Sequence, residues 1–478
     1  MKAPLWTVDA ITAATGAART GPLPQVVTGI SIDSRTVAAG EVFFAIKGDT
    51  HDGHDFVAAA LSQGAGLAVV ARNRSSGYGS GAPLIIVDDV LEALRDVSRA
   101  ARLRSHAKIM AVTGSVGKTS TKEALALSLA SSGETHASTA SFNNHWGVPL
   151  SLARMAETAN FGVFEVGMNH TGEITPLARL VRPHVAIVTA VEPVHLEFFA
   201  SVAAVADAKA EIFVGLEPGG TAVLNRDNPH FARLRQRAEE AGVKHIVAFG
   251  EHAEAAARLL NCALLPDCST VEASILGVSV TYKIGAPGRH LVMNSLAVLA
   301  AASLVGADLA GAALALAQQV PAPGRGTRVK LELRDGQVLV IDESYNANPA
   351  SMQAALALLG QAPLGPGGRR IAVLGDMLEL GPTSKDLHRG LVEVIRHNGI
   401  DLVYCAGPLM AALWEVLPSA RRGGYAKTAA ELEPLVVAAV RAGDALMVKA
   451  SAGFRLGPIV KALVRHRSVT AASEPAQA

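Results

Sequence analysis

An apolar run at residues 108–112, the turn TGSVGKTS at residues 113–120 and a helical stretch at residues 121–132 follow one another directly, and this junction constrains the chain more than any other feature. A strand that ends in a glycine-rich turn and re-enters a helix aims backbone N–H groups and a helix N-terminus at one point, a geometry suited to phosphate. The order strand, loop, helix is the context in which such a motif carries meaning. It predicts an ATP site on Thr113, Gly114, Ser115, Val116, Gly117, Lys118, Thr119 and Ser120, with Lys118 bridging the β- and γ-phosphates and Thr119 offering its hydroxyl to Mg²⁺. Val112 stands where the strict motif has its first glycine. A glycine turn with a surface lysine is the alternative, and the flanking strand and helix argue against it.

Continuous apolar runs at residues 161–166, 185–191 and 221–224 read as strands covered on both faces, hence a parallel sheet with helices on each side. Ahead of them, β-rich runs at residues 40–46, 66–71 and 84–88 alternate with alanine-rich helical stretches and imply a small α/β domain, followed by a polar helix at 91–104. Residues 270–284 alternate in polarity, as an antiparallel flap attached to the central domain would, and a helix follows at 294–304. VPAPGRG at 320–326 has the composition of a linker. Strands at 338–343, 371–375, 402–406 and 445–449 alternate with helices, which predicts a doubly wound, Rossmann-like third domain. The expected fold is therefore α/β in three domains, 1–105, 106–320 and 321–478, with the tail after Val469 frayed. A chain of 478 residues is in any case too long for one core.

Lysine and arginine number 43 against 42 acidic residues, a balance that argues against the basic surface of a nucleic-acid binder. Cys262, Cys268 and Cys405 lack metal-ligand spacing and fit reduced thiols, so a cytoplasmic setting is expected. The N-terminal residues do not read as a secretory signal, and apolar runs such as 291–304 fall short of the roughly 20 residues needed to cross a bilayer, so no membrane insertion is expected.

Three further residues draw attention. Glu165 ends an apolar strand at the sheet edge where ligands bind, and is a candidate for Mg²⁺, although a solvated strand-end carboxylate would look the same. His195, in VEPVHLEFF, lies beyond the next strand at the same edge. Lys209, in DAKAEIF, reads from spacing alone as a helix lysine with its head in water.

Taken together, SIDSR at 31–35, FFAIKGDTHDGHDF at 43–56, TGSVGKTS, FNNHWGVPL at 142–150, FEVGMNHTGEI at 164–174, AKAEIF at 208–213, DESYNANPASM at 342–352 and GDMLELG at 375–381 resemble the Mur ligase family, the three-domain ATP-dependent amide ligases of peptidoglycan precursor synthesis. YNANP followed by GDMLELG is similar to the branch that joins D-alanyl-D-alanine to UDP-N-acetylmuramoyl-tripeptide. The DNPR signature of the preceding ligase is not found. The resemblance implies catalysis by Lys118, Glu165, His195 and Lys209, with two Mg²⁺ ions held by Thr119, Glu165, His195 and a carbamylated Lys209. It implies nucleotide contacts from Asn294, Arg325, Asp342, Tyr345, Asn346 and Asn348, and uridine-substrate contacts from Ser34, Arg35, Thr139, Asn143 and Asn144. Arg455 would meet the incoming dipeptide, although Phe454 stands where the family has a small hydroxyl residue. The enzyme is expected to act as a monomer on small molecules. Another ligase of the family, or a P-loop ATPase that makes no bond, are the competing readings.

Overall fold

The computed structural model describes residues 3–194, 196–333 and 335–472. Three larger sheets organise them. The first has five strands, in the order Ala18–Thr20, Leu84–Val87, Leu67–Ala71, Val42–Phe44 and Ile30–Ser31; only its first pair is antiparallel. The helix Val90–Arg104 leaves this sheet and packs its buried face, including Leu94 and Val97, toward the second.

The second sheet has nine strands, and Lys108–Thr113 lies inside it between Val185–Val188 and Phe161–Glu165, parallel to both. Alternation along this strand explains the continuous apolar run. Ile109 and Ala111 enter one core with Phe164, Ala186 and Leu224, while Met110 and Val112 enter another with Val163, Ile187 and Val223. Residues with period two thus face two separate helical layers. The second layer includes Leu125 and Leu129 of the helix Lys118–Ala130 and Leu296 and Leu299 of the helix Arg289–Leu304.

The expected flap is not an appendage. Ala257–Leu264, Ser269–Ile275 and Val278–Ile284 extend the central sheet itself, two antiparallel ladders continuing a parallel one. Alternation survives there because one face, with Val271, Ala273, Ile275 and Tyr282, covers the core while the other faces solvent. The following helix starts at Arg289, ahead of the expected Asn294.

The third sheet has six strands in the order Thr327–Leu333, Gly336–Glu343, Ala445–Lys449, Arg370–Gly375, Leu402–Ala406 and Arg422–Ala426, parallel apart from the first pair. The terminal helix Gly457–Ala472 runs past Val469, so the chain is helical where fraying was expected; residues 473–478 lie outside the described residues.

Candidate active site

Val112 remains within its strand, pairing with Glu165 on one side and Ile187 on the other, so the chain turns only after Thr113. No left-handed conformation is required at Val112, which accounts for the missing glycine. Gly114 has φ +153°, and a Cβ there would fall 1.9 Å from Thr189 Oγ1. Gly117 has φ +83°, and a Cβ would fall 2.5 Å from Asn294 Nδ2. Both positions therefore need glycine. The loop is tied to the neighbouring strand end by Ser115 N–H to Ala190 O at 2.8 Å and by Thr189 Oγ1 to Val116 O at 2.6 Å. Lys118 opens the helix and donates to Gly114 O at 2.6 Å.

Glu165 is 1% exposed, and both its oxygens are engaged: Thr119 Oγ1 donates to Oε2 at 2.8 Å and Asn143 Nδ2 to Oε1 at 2.7 Å. Burial lowers the Lys118 pKa, the Glu165 charge opposes that shift, and Arg325 reinforces it. Lys209 is buried in the last turn of the helix Val202–Ala210; desolvation first, and the Lys118 charge second, hold its pKa well below the usual lysine range. His195 lies outside the described residues. The nearby Glu197 N–H donates to Glu379 O at 3.3 Å, so the GDMLELG loop of the third sheet touches the segment that follows His195.

A cavity of about 610 Å³ opens between the central and third sheets. It brings together residues 115–120, Asn143, Glu165, Asn294, Arg325, Tyr345, Asn346 and Asn348, which come from six separate segments of the chain. The Arg325 guanidinium sits 4.1 Å over the Tyr345 ring, and the Tyr345 hydroxyl hydrogen-bonds the Ser141 hydroxyl across the two sheets. Asn348 also caps the helix Pro349–Gly360, accepting from Ser351 N–H at 2.9 Å, so it has a turn-and-cap role whatever else it contacts.

Other expected residues stand apart. Thr113, Gly114, Thr139 and Lys209 do not line this cavity, nor does Asp342, whose Oδ1 accepts from Ser344 N–H at 3.0 Å and Ser344 Oγ at 2.6 Å. Ser34 and Arg35 follow the edge strand Ile30–Ser31 of the first sheet, where Arg35 pairs with Asp33 at 2.7 Å. Arg455 has φ +60° and is outside the lining; Phe454 packs beside Gly375, where a Cβ would lie 2.7 Å from its ring. A large aromatic is thus accommodated because its neighbour has no side chain.

Sequence reasoning missed His290, Glu343 and Lys449, which line the same cavity. Lys449 Nζ meets Glu343 Oε2 at 3.1 Å and donates to Asn346 O at 2.9 Å, and burial lowers the His290 pKa. A second cavity, of about 1080 Å³, shares Asn143, Gly167, Met168 and Asn169 with the first and takes in Asn144. Arg95 and Arg99 on the helix that leaves the first sheet, and Arg179 opposite, line it.

Among the described residues no three His, Cys, Asp or Glu side chains gather as a metal site. The donors present, a threonine hydroxyl and a carboxylate 2.8 Å apart, are hard oxygens of the kind Mg²⁺ takes while drawing its other ligands from phosphate and water. The residues fit such an ion.

Residues 26–107 match the Mur ligase family catalytic domain, 112–302 the Mur ligase middle domain, and 324–452 the Mur ligase glutamate ligase domain. The chain is 32% identical over 431 residues to the UDP-N-acetylmuramoyl-tripeptide--D-alanyl-D-alanine ligase of Rickettsia prowazekii, covering 90% of this chain and 94% of that one. It is 35% identical over 378 residues to the enzyme of the same name from Escherichia coli, covering 79% and 81%. Among solved structures, MurF from Acinetobacter baumannii superposes with a TM-score of 0.82 at 28% identity, over 97% of this chain and 100% of that one. MurF ligase from Thermotoga maritima, in complex with ADP, gives 0.74 at 25% identity over 92% and 98%.

Proposed function

Because this chain belongs to the Mur ligase family, we propose that it joins D-alanyl-D-alanine to UDP-N-acetylmuramoyl-tripeptide through an amide bond, with cleavage of ATP to ADP and phosphate. The observation that carries the reading is the convergence of Lys118, Thr119, Glu165 and Asn143 at one end of a cavity whose other wall, with Arg325 and Tyr345, comes from the third sheet. A loop that only hydrolysed ATP would not need the neighbouring cavity of about 1080 Å³, which extends from the helix after the first sheet to Asn143 and shares Asn143 and Gly167 with the first cavity. Its arginines, Arg95, Arg99 and Arg179 among them, suit an anionic substrate.

A carboxylate is a poor electrophile until it carries a good leaving group. In the proposed sequence the terminal carboxylate of the tripeptide attacks the γ-phosphorus in line, ADP departs, and an acyl phosphate remains. The amine of D-alanyl-D-alanine then attacks the acyl carbon and loses a proton, and the tetrahedral intermediate expels phosphate. Lys118 offsets charge on the phosphate oxygens, and Asn143 holds the carboxylate of Glu165 in place. Thr119 and Glu165 would hold one Mg²⁺; His195 and a carbamylated Lys209 would serve a second. Bound there, such ions supply Lewis-acid neutralisation of the phosphate oxygens. Asn294, Arg325, Asp342, Tyr345, Asn346 and Asn348 are assigned to the nucleotide, Thr139, Asn143 and Asn144 to the muramoyl substrate, and Arg455 to the dipeptide. The third domain, from 321 onward, closes about the 320–326 linker to shield the acyl phosphate from water. The enzyme is taken to work as a cytoplasmic monomer, with its free cysteines reduced.

A mass-resolved ligation assay tests the reading. With ATP, UDP-N-acetylmuramoyl-tripeptide and a panel of amines, the pentapeptide product and an equal amount of phosphate are expected only with D-alanyl-D-alanine. Product from a single amino acid would point to another ligase of the family. Phosphate release at the full rate without any amine would point to a switch ATPase.

A further inference from the structure

Lys122 lies one turn beyond Lys118 on the helix Lys118–Ala130, is wholly buried, and does not line the nucleotide cavity. Its Nζ donates to Ser138 O at 2.5 Å and Ala140 O at 2.7 Å, and Glu123 Oε1 stands 2.8 Å away. An ammonium has three donors, and here each meets an oxygen. Burying a charge is costly even when it is paired, and a leucine or methionine would fill the same space more cheaply. What the ammonium adds is geometry.

The geometry concerns residues 138–144. Ser138 N–H anchors the near end to Val163 O at 3.0 Å. Ala140 has φ +48°, a conformation that alanine holds only when its surroundings impose it, and its carbonyl is one of the two gripped by Lys122. Directly beyond, Ser141 meets Tyr345 of the third sheet, and Asn143 donates to Glu165 at 2.7 Å while its carbonyl accepts from Gly167 N–H at 2.8 Å. One helix therefore carries the phosphate lysine, the threonine on Glu165 and the lysine that shapes the loop approaching Glu165 from the other side.

We propose that Lys122 is a positioning residue for ligation, acting through the Ser138 and Ala140 carbonyls to aim Asn143 at Glu165; the inference rests on the ligase reading above. It touches no reactant. Its effect falls on the alignment of the acceptor carboxylate with ATP, where a displacement of about 1 Å costs about 100-fold in rate.

The test uses the full-length enzyme and the variants Lys122→Met, Asn143→Ala and the pair combined, with ligation kinetics, ADP affinity by calorimetry and thermal melting. Lys122→Met is expected to lower kcat/KM for the tripeptide substrate by about 100-fold while leaving ADP affinity near the wild-type value. The double variant should be no worse than the weaker single one, since both break the same link. A residue that only filled the core would give losses that multiply in the double variant, with the melting temperature lowered and ligation falling only as far as the folded fraction falls; that result overturns the inference. Wild-type ligation in Lys122→Met also overturns it. Should that variant not fold, Lys122→Gln, which keeps an amide donor, carries the same comparison. If the wild-type enzyme fails to ligate the dipeptide, the ligase reading falls and takes the inference with it, whereas a ligating wild type with an unimpaired variant removes the inference alone.

Discussion

Thr119 donates to Glu165 across 2.8 Å, from the first turn of a helix to the last residue of a strand that pairs with the strand feeding that helix. Two backbone elements fixed by the same sheet thus set the distance between a hydroxyl and a carboxylate. Glu165→Gln preserves the size and the Thr119 contact but removes the charge that a cation requires. It is expected to lower kcat by about 100-fold or more, with a melting temperature close to that of the wild type. Steady-state ligation at saturating Mg²⁺ checks this, and near-normal turnover would remove Glu165 from the chemistry.

Ser141 and Tyr345 join the central and third sheets through their hydroxyls, with Arg325 stacked on the tyrosine ring 4.1 Å away. Tyr345→Phe deletes the hydrogen bond and keeps the ring under Arg325. A neutral hydrogen bond contributes about 0.5–1.5 kcal/mol, so kcat/KM for ATP should fall by about 2–10-fold. Arg325→Ala should cost more, since it removes a stacked charge as well as a cavity wall. Equal, negligible effects would show that this pair does not hold the two sheets in the working arrangement.

What could be read from sequence follows the distance over which each contact acts. The phosphate loop was legible because strand, turn and helix are contiguous, and two glycines answer local demands at Thr189 and Asn294. Residues 270–284 read as a flap because alternating polarity looks the same whether a ladder stands free or extends a sheet. His290, Glu343 and Lys449 escaped notice because they meet only when a helix start and two strand ends converge on one cavity. Lys122 was invisible for a related reason: within TSTKEALA it reads as a solvated helix lysine, and its burial comes from a loop that crosses over it from the next strand.

Lys209 is the sharpest case of chemistry set by burial. Desolvation and the neighbouring Lys118 favour the uncharged amine, the form that can add CO₂. The fully buried part of the central domain would then carry a carboxylate where the gene encodes a lysine. Enzyme stripped of CO₂ at acidic pH is expected to be weakly active and to recover with bicarbonate, faster as the pH rises. Native mass spectrometry should show the added mass of one CO₂, lost in Lys209→Met, whose activity falls by about 10–100-fold and is not restored by bicarbonate. An active Lys209→Met enzyme would exclude the modification from catalysis.

His388 offers a test of stability rather than rate. It is wholly buried in the third domain, its Nε2 accepting from Met377 N–H at 3.0 Å and its Nδ1 donating to Ser384 O at 2.7 Å. Those partners fix the neutral tautomer, because a protonated Nε2 could no longer accept. Burial, the largest influence, lowers its pKa in the fold, outweighing the Ser384 hydrogen bond and the Asp376 charge. The unfolded chain, with a histidine pKa of about 6.5, therefore binds more protons than the native state just below that value. It follows that stability is fully present above about pH 6.5 and is lost as the pH falls through the folded pKa. Melting curves of the wild type should decline from pH 7 toward pH 5. His388→Gln is expected to cost about 1–2 kcal/mol at neutral pH through imperfect replacement of the two hydrogen bonds, yet to decline less steeply with acid. Parallel curves for the two proteins would show that acid acts elsewhere, at His136, His184 or His290, which burial also holds neutral.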